Sequence, residues 1–297
     1  MTLCSESAKI ATVRGALVAQ PGTVDEAVAA LAATPGAQLL AGGTDFCVEV
    51  NFGMRRPPAV VALRRVAELR RIEMTPSQAV IGACTTYADM GGEPLATAFP
   101  GLAAAARTVG SPQIRNAGTL GGNVATASPA GDTLPLLVAL DARMRLRGPT
   151  GERTVSLSEL VTGVKRTGIA PDEVLVDVVI DRRPGPQEFL KVGTRNAMVI
   201  AIASVAVVVD VESREVRVGL GSVAPVPLRA RDAEAHAREA IDWDALSVGE
   251  AGAARFGELV ASACAPITDH RSTAEYRRHA VQVIARRALE RCVRRAC

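Results

Sequence analysis

The chain has 297 residues, with 34 Lys and Arg against 31 Asp and Glu for a net charge of +3, and only 3% of it is aromatic. So slight a positive balance and so few stacking side chains argue against a nucleic-acid surface, while 48% apolar and 22% charged residues describe an ordinary folded chain of two or three compact units. The longest apolar run, residues 198–209, covers 12 positions and contains Ser204, short of the ~20 that a membrane-spanning helix needs.

Residues 23–33 read as a helix. Thr23 stands at the N-cap position, Glu26 supplies a capping-box partner, and Val24, Ala27, Val28 and Leu31 recur at helical spacing. Pro35-Gly36 ends it. Residues 37–41 read as a short buried strand, and Thr44 or Asp45 can cap a following helix that runs to Phe52. Such an order sets a positive helix end beside Gly42-Gly43. Pro57-Pro58 then breaks the unit. Strands are expected over 60–63 and 79–83, a helical turn over 66–70, and helices over 87–90 and 102–109. Pro112 and Asn116 mark irregular backbone leading to a second glycine pair, Gly121-Gly122. Residues 133–140 read as a helix with Asp132 as N-cap and Pro135 in its first turn. Residues 142–147 and 173–180 alternate as strands do.

The run Arg182-Arg183-Pro184-Gly185-Pro186 is the best domain boundary, dividing residues 1–183 from 187–297. Beyond it, residues 189–192, 201–210 and 215–223 read as three strands of one antiparallel sheet, and 232–241, 249–263 and 273–295 as helices. The arginines of the last helix read as a solvated face. The six cysteines, Cys4, Cys47, Cys84, Cys264, Cys292 and Cys297, contain no C-x-x-C pair. They signal neither a zinc ribbon nor an iron–sulfur cluster, so no metal site is expected. Scattered thiols, and the lack of an apolar secretion core in residues 1–13, point to the cytoplasm.

The two glycine pairs carry most of the chemistry. Each lets the backbone approach a ligand closely and turns successive N–H groups toward it, which suits phosphate oxygens. Two such segments can hold the two phosphates of a dinucleotide, although either alone is more often just a tight turn. Neither a G-x-G-x-x-G nor a G-x-x-x-x-G-K-[ST] motif is present.

Taken together, LLAGGTDF (Leu39, Leu40, Ala41, Gly42, Gly43, Thr44, Asp45, Phe46), SPQIRNAGTLGGN ending at Asn123, and TASPAGD ending at Asp132 resemble the FAD-binding subunit of the molybdenum hydroxylases, the xanthine dehydrogenase family. Three later blocks are similar to the same family: KVGTR from Lys191, GSVAP from Gly221, and DHRSTAEYR from Asp269. The resemblance implies an α+β fold. A PCMH- or vanillyl-alcohol-oxidase-type FAD-binding domain would be built from two α+β subdomains, about residues 1–58 and 59–183, and a smaller domain with a three-stranded antiparallel sheet and helices would follow. It also implies that the segment from Leu39 to Phe46 wraps the FAD pyrophosphate from one subdomain, and Thr119, Gly121, Gly122 and Asn123 from the other. Asp132 matches a position that hydrogen-bonds the cofactor, and Lys191 one that contacts it, where a cation favours the reduced flavin anion. Val109 and Leu175 match apolar lining positions. Asp132 also reads as a plain helix cap, Lys191 as a surface lysine, and Val109 and Leu175 as core.

The sequence holds no Ser/His/Asp arrangement or nucleophile elbow, and His236, His270 and His279 all fall in the C-terminal region. No catalytic side chain is therefore expected, since a flavin would carry the redox chemistry. The resemblance implies a heteromeric enzyme: a molybdopterin subunit hydroxylates substrate, a [2Fe–2S] subunit passes electrons to FAD, and FAD reduces NAD+ or another acceptor. Thr44-Asp45-Phe46 after the glycines looks more like the xanthine dehydrogenase type than the carbon monoxide dehydrogenase type. The lack of a Cys-rich insertion argues against the hydroxybenzoyl-CoA reductase variant. Two other readings stand beside this one: a free-standing flavin oxidoreductase of the same fold, and a non-catalytic nucleotide-binding assembly module.

Overall fold

The computed structural model describes residues 9–13 and 16–296; Cys4, Cys297 and the first eight residues of the N-terminal stretch lie outside these. Strands β1 (Lys9–Val13) and β2 (Ala16–Gln20) form a hairpin ahead of helix α1 (Val24–Ala33). Strand β3 (Gln38–Leu40), helix α2 (Phe46–Asn51) and strand β4 (Ala59–Ala62) follow. The sheet order is β1-β2-β4-β3, with β4 parallel to both its neighbours. Helix α1 buries the four apolar residues that predicted it. Its Thr23 hydroxyl accepts the Glu26 N–H at 3.1 Å, but the Glu26 carboxylate takes the Gly22 N–H at 2.7 Å, one residue before the expected capping-box partner. Neither Thr44 nor Asp45 caps α2 by a side-chain bond: Asp45 holds the N-cap position with helical backbone, and the helix buries none of its residues.

The second sheet runs β5 (Ile72–Met74), β6 (Gln78–Gly82), β11 (Val174–Asp181), β7 (Arg143–Gly148), β8 (Gly151–Ser156), antiparallel throughout. Between β6 and β7 lie six short helices: α3 (Tyr87–Met90), α4 (Leu95–Ala98), α5 (Pro100–Arg107), α6 (Pro112–Ala117), α7 (Leu120–Thr126) and α8 (Leu134–Ala139). Strands β7 (Arg143–Gly148) and β8 (Gly151–Ser156) lead to helix α9 (Leu157–Leu160), the hairpin β9 (Val161–Gly163) and β10 (Arg166–Thr167), and the central strand β11 (Val174–Asp181). The segment expected to be irregular is helical. Ser111 caps α6 and Thr119 caps α7, each accepting an N–H three residues on, and Leu120 and Val124 are fully buried. Burial of these two side chains outweighs the poor helix propensity of Gly121 and Gly122. Asp132 is not the cap of α8. Thr133 occupies that position and makes no side-chain cap bond, while Pro135 presets the first turn.

The third sheet has the expected three strands, β12 (Gln187–Val192), β13 (Ala203–Asp210) and β14 (Glu215–Gly221), and a two-residue fourth, β15 (Leu228–Arg229). Helices α10 (Arg231–Ala240), α11 (Glu250–Ser262) and α12 (Ala274–Ala296) complete the chain. All eight residues of β13 are buried. Val205, Val207 and Val209 pack with Phe256, Val281 and Leu289 of the C-terminal helices, while Ala206 and Val208 join the core of the second sheet. A strand covered on both faces reads as a continuous apolar run.

The block beginning at Asp269 is structural. Asp269 accepts the Arg271 and Ser272 N–H groups at 2.9 and 3.2 Å and the buried Arg277 guanidinium at 2.7 Å. Arg277 also donates to the Ile202 and Ser222 carbonyls at 2.6 and 3.0 Å, tying α12 to the third sheet. The Arg271 N–H first, and Arg277 with it, hold the Asp269 carboxyl down to about 2. A folded value below the unfolded one stabilises the fold above the unfolded pKa, and that contribution is lost as pH falls through the folded value. Urea melts of wild type and Asp269→Asn at descending pH should therefore differ most above about pH 4 and converge toward about 2; a constant gap would remove Asp269 from this role.

Candidate functional site

The segment after β3 meets the junction of α6 and α7, and α7 in turn meets the segment after β6. At Gly42 a Cβ would lie 1.9 Å from the Ala117 carbonyl oxygen, and at Gly121 one would lie 2.6 Å from the Ala83 Cβ. These two positions are bare because the chain's own backbone passes there, a reason for glycine beside the close approach of a ligand. Gly43 has φ +75°, the turn that aims the following residues into the cleft.

The two glycine pairs also differ in what they offer. The N–H groups of Gly42, Gly43, Thr44 and Asp45 have no hydrogen-bond acceptor among the described residues. In the second segment the donors are taken: Leu120 N–H by Thr85 O at 2.9 Å, Gly121 N–H by Ala83 O at 2.8 Å, and Gly122 N–H by the Thr119 hydroxyl oxygen at 3.0 Å. What that side presents is the Thr119 hydroxyl hydrogen and the Asn123 amide, whose oxygen accepts from Thr133 at 2.6 Å. The nest expected at Gly121-Gly122 is thus a capped helix start.

Between these segments lies a cavity of about 230 Å³, lined by Leu39, Ala41, Gly42, Gly43, Thr44, Asp45, Phe46, Thr119, Gly121, Gly122, Asn123 and Leu175. Sequence reasoning missed Glu49, Arg55, Tyr87, Cys84 and Lys165, which line it too. Burial first, then the Asp132 and Asp45 carboxylates, push the Tyr87 phenol upward, so it stays a neutral donor. Burial also pushes the Cys84 thiol up to about 11, leaving it an inert wall. Leu40 and Val109 line neither this cavity nor the next; Val109 packs partly buried against the core of the second sheet.

A second cavity of about 820 Å³ opens beyond α6, lined by Arg107, Thr108, Arg115, Lys191, Arg195 and the 196–199 loop among others. Lys191 is no surface lysine. Its ammonium donates to Asp132 Oδ2 at 2.5 Å and to the Thr108 and Val199 carbonyls at 3.0 and 3.1 Å, with both charged side chains under 10% exposed. Burial raises the Asp132 carboxyl, and Lys191 opposes that shift. Asp132 Oδ1 is buried without a hydrogen-bond partner among the described residues.

A cleft of uncommitted backbone donors closed by apolar walls fits a phosphate-bearing cofactor. Residues 11–182 match the model of the FAD binding domain in molybdopterin dehydrogenase, and residues 188–292 that of the CO dehydrogenase flavoprotein C-terminal domain. The chain belongs to this family of FAD-binding subunits, and FAD is its cofactor. It is 30% identical over 282 residues to the xanthine dehydrogenase FAD-binding subunit of Escherichia coli O157:H7, covering 91% of this chain and 94% of that one. Identity to the nicotine 6-hydroxylase medium subunit of Paenarthrobacter nicotinovorans is 31% over 275 residues, covering 91% and 95%. The solved carbon monoxide dehydrogenase of Hydrogenophaga pseudoflava superposes with a TM-score of 0.84 at 30% identity, over 94% of this chain and 98% of that one. Identities this even across three substrates do not discriminate among them.

Proposed function

We propose that this chain is the electron-transferring FAD subunit of a heteromeric, xanthine dehydrogenase-like molybdenum hydroxylase of the cytoplasm. An iron–sulfur subunit would deliver electrons, a molybdopterin subunit would hydroxylate a purine, and NAD+ or another acceptor would leave with the electrons. Residues 1–183 would form the FAD-binding domain and 187–297 the second domain. The observation that carries the proposal is the row of uncommitted N–H donors from Gly42 to Asp45, facing Thr119 and Asn123 across one cleft. The Thr44-Asp45-Phe46 sequence after the glycines supports the xanthine type.

When bound, FAD supplies a carrier that takes up and releases electrons. The chain's task is to bind and orient it. The Gly42–Asp45 N–H groups would hold phosphate oxygens, with the Thr119 hydroxyl and Asn123 amide opposite. Leu39, Ala41, Phe46 and Leu175 would wall the same side, and Leu40 and Val109 would back it. Lys191 would keep a positive charge at the redox end, held by Asp132, which would itself hydrogen-bond the cofactor.

The test begins with the absorption spectrum of the purified chain and identification of any released cofactor. FAD bleached by dithionite is expected, and Gly43→Val should abolish its retention. Reconstituted with its two partners, the complex should reduce NAD+ with xanthine and fail with nicotine or carbon monoxide. Turnover by the chain alone would favour a free-standing flavin oxidoreductase. A colourless chain that partners cannot load would favour an assembly module.

A further inference from the structure

One carboxylate holds two cations at the rim of the first cavity. Glu49 lies 2.7 Å from Arg55 Nη2 and 3.2 Å from Lys165 Nζ, and all three line the cavity. They come from separate parts of the fold. Glu49 belongs to α2 and Arg55 follows that helix, whereas Lys165 sits in the turn between β9 and β10. Both cations are held in place. Arg55 donates to Gln38 Oε1 at 3.2 Å, and its guanidinium lies 5.3 Å from the centroid of the Phe46 ring. Lys165 has φ +53°, and its N–H is donated to the Ala127 carbonyl at 3.1 Å. The Glu49 side chain is 19% exposed, so the bridge is partly shielded from water.

We propose that Arg55 and Lys165 select a diphosphate-linked dinucleotide over a mononucleotide at this site, and that Glu49 positions them while competing with phosphate for them. The assignment rests on the cofactor reading above. The cavity is lined by two acidic side chains, Asp45 and Glu49, and two basic ones, Arg55 and Lys165, so their formal charges balance. A diphosphate brings two anionic groups to a rim where two cations share one carboxylate. Guanidinium and ammonium groups bind phosphate oxygens by charge-assisted hydrogen bonds. A diphosphate can set one anionic group on the Gly42–Asp45 N–H row and the other on these two cations, whereas a single phosphate ester has one group and fills only one of the two places, and riboflavin fills neither.

The experiment uses the full chain stripped of cofactor and titrated with FAD, FMN and riboflavin at low and high salt. Lys165→Met and Arg55→Met should each raise the Kd for FAD by about tenfold and move those for FMN and riboflavin by less than about twofold. Arg55→Lys should recover part of the loss. Glu49→Gln should lower the FAD Kd by about threefold, and high salt should shrink every one of these differences. Thermal melts establish that each variant is folded; Lys165 is 57% exposed at its side chain, so its replacement leaves the core intact. Equal weakening of all three ligands, or weaker FAD binding by Glu49→Gln, would overturn the assignment and leave the triad a structural strap. A wild-type chain that takes up no FAD at any salt would overturn the cofactor reading, and this assignment with it.

Discussion

Gly42→Ala should give a chain that retains no FAD and melts well below wild type. The added methyl would sit 1.9 Å from the Ala117 carbonyl oxygen and 2.7 Å from its carbon. Those are backbone atoms at the end of α6, so no rotamer change relieves the clash. Either the end of α6 or the end of β3 must move by about 1 Å or more, and overpacking of this kind costs about 3 kcal/mol. The same movement separates the Gly42–Asp45 donors from Thr119 and Asn123. Flavin absorbance per chain and a denaturant melt check both parts. Gly92→Ala is the control, since its methyl meets only the Asp89 carbonyl oxygen at an ordinary 3.5 Å. A Gly42→Ala chain that keeps its flavin would show that the two segments need not be locked together.

Lys191→Met should cost about 3–5 kcal/mol at neutral pH, the range for breaking one partner of a buried ion pair. Methionine keeps the stem but removes the donor from Asp132 and from the Thr108 and Val199 carbonyls. Asp132 would then be a buried carboxylate with one oxygen unpartnered and the other bonded only to the Thr108 hydroxyl at 3.2 Å. Burial already raises its carboxyl, and loss of Lys191 removes the opposing charge. An acid whose folded pKa lies above its unfolded value gains stability as pH falls through the folded value toward the unfolded one. The deficit of Lys191→Met should therefore shrink as urea melts are taken from pH 7 toward pH 4, and Asp132→Asn in the same chain should recover part of it. A deficit that does not change with pH would mean that Asp132 is not the group left exposed by the loss.

These two pairs of contacts mark where the sequence stops being readable. Local signals served well: α1 follows from its cap and its apolar spacing, and β12, β13 and β14 from their runs. The resemblance singled out Asp132 and Lys191, but nothing in either segment says that they touch across 59 positions. That contact depends on how β12 comes to lie beside α5. For the same reason Lys165 was invisible, because it reaches the cavity through a short hairpin that no periodicity announces. Helix α7 was hidden by its glycines, whose helix propensity is poor, and is specified by Leu120 and Val124 packing against the sheet. The N–H groups of Gly42 to Asp45 were anticipated as donors; those of Gly121 and Gly122 were expected to be free and are engaged within the chain.

Strand β13 has a consequence for inheritance. Alternate residues belong to different cores, with Ala206 and Val208 on one side and Val205, Val207 and Val209 on the other. Nearby, α8 rests so closely on β14 that a methyl at Gly219 would fall 1.8 Å from the Pro135 carbonyl oxygen. A gene fragment encoding either half would make a chain with a greasy face and no cover for it. Recombination at the seam would join surfaces that had not been selected against each other. Each half therefore depends on the other to cover its apolar face.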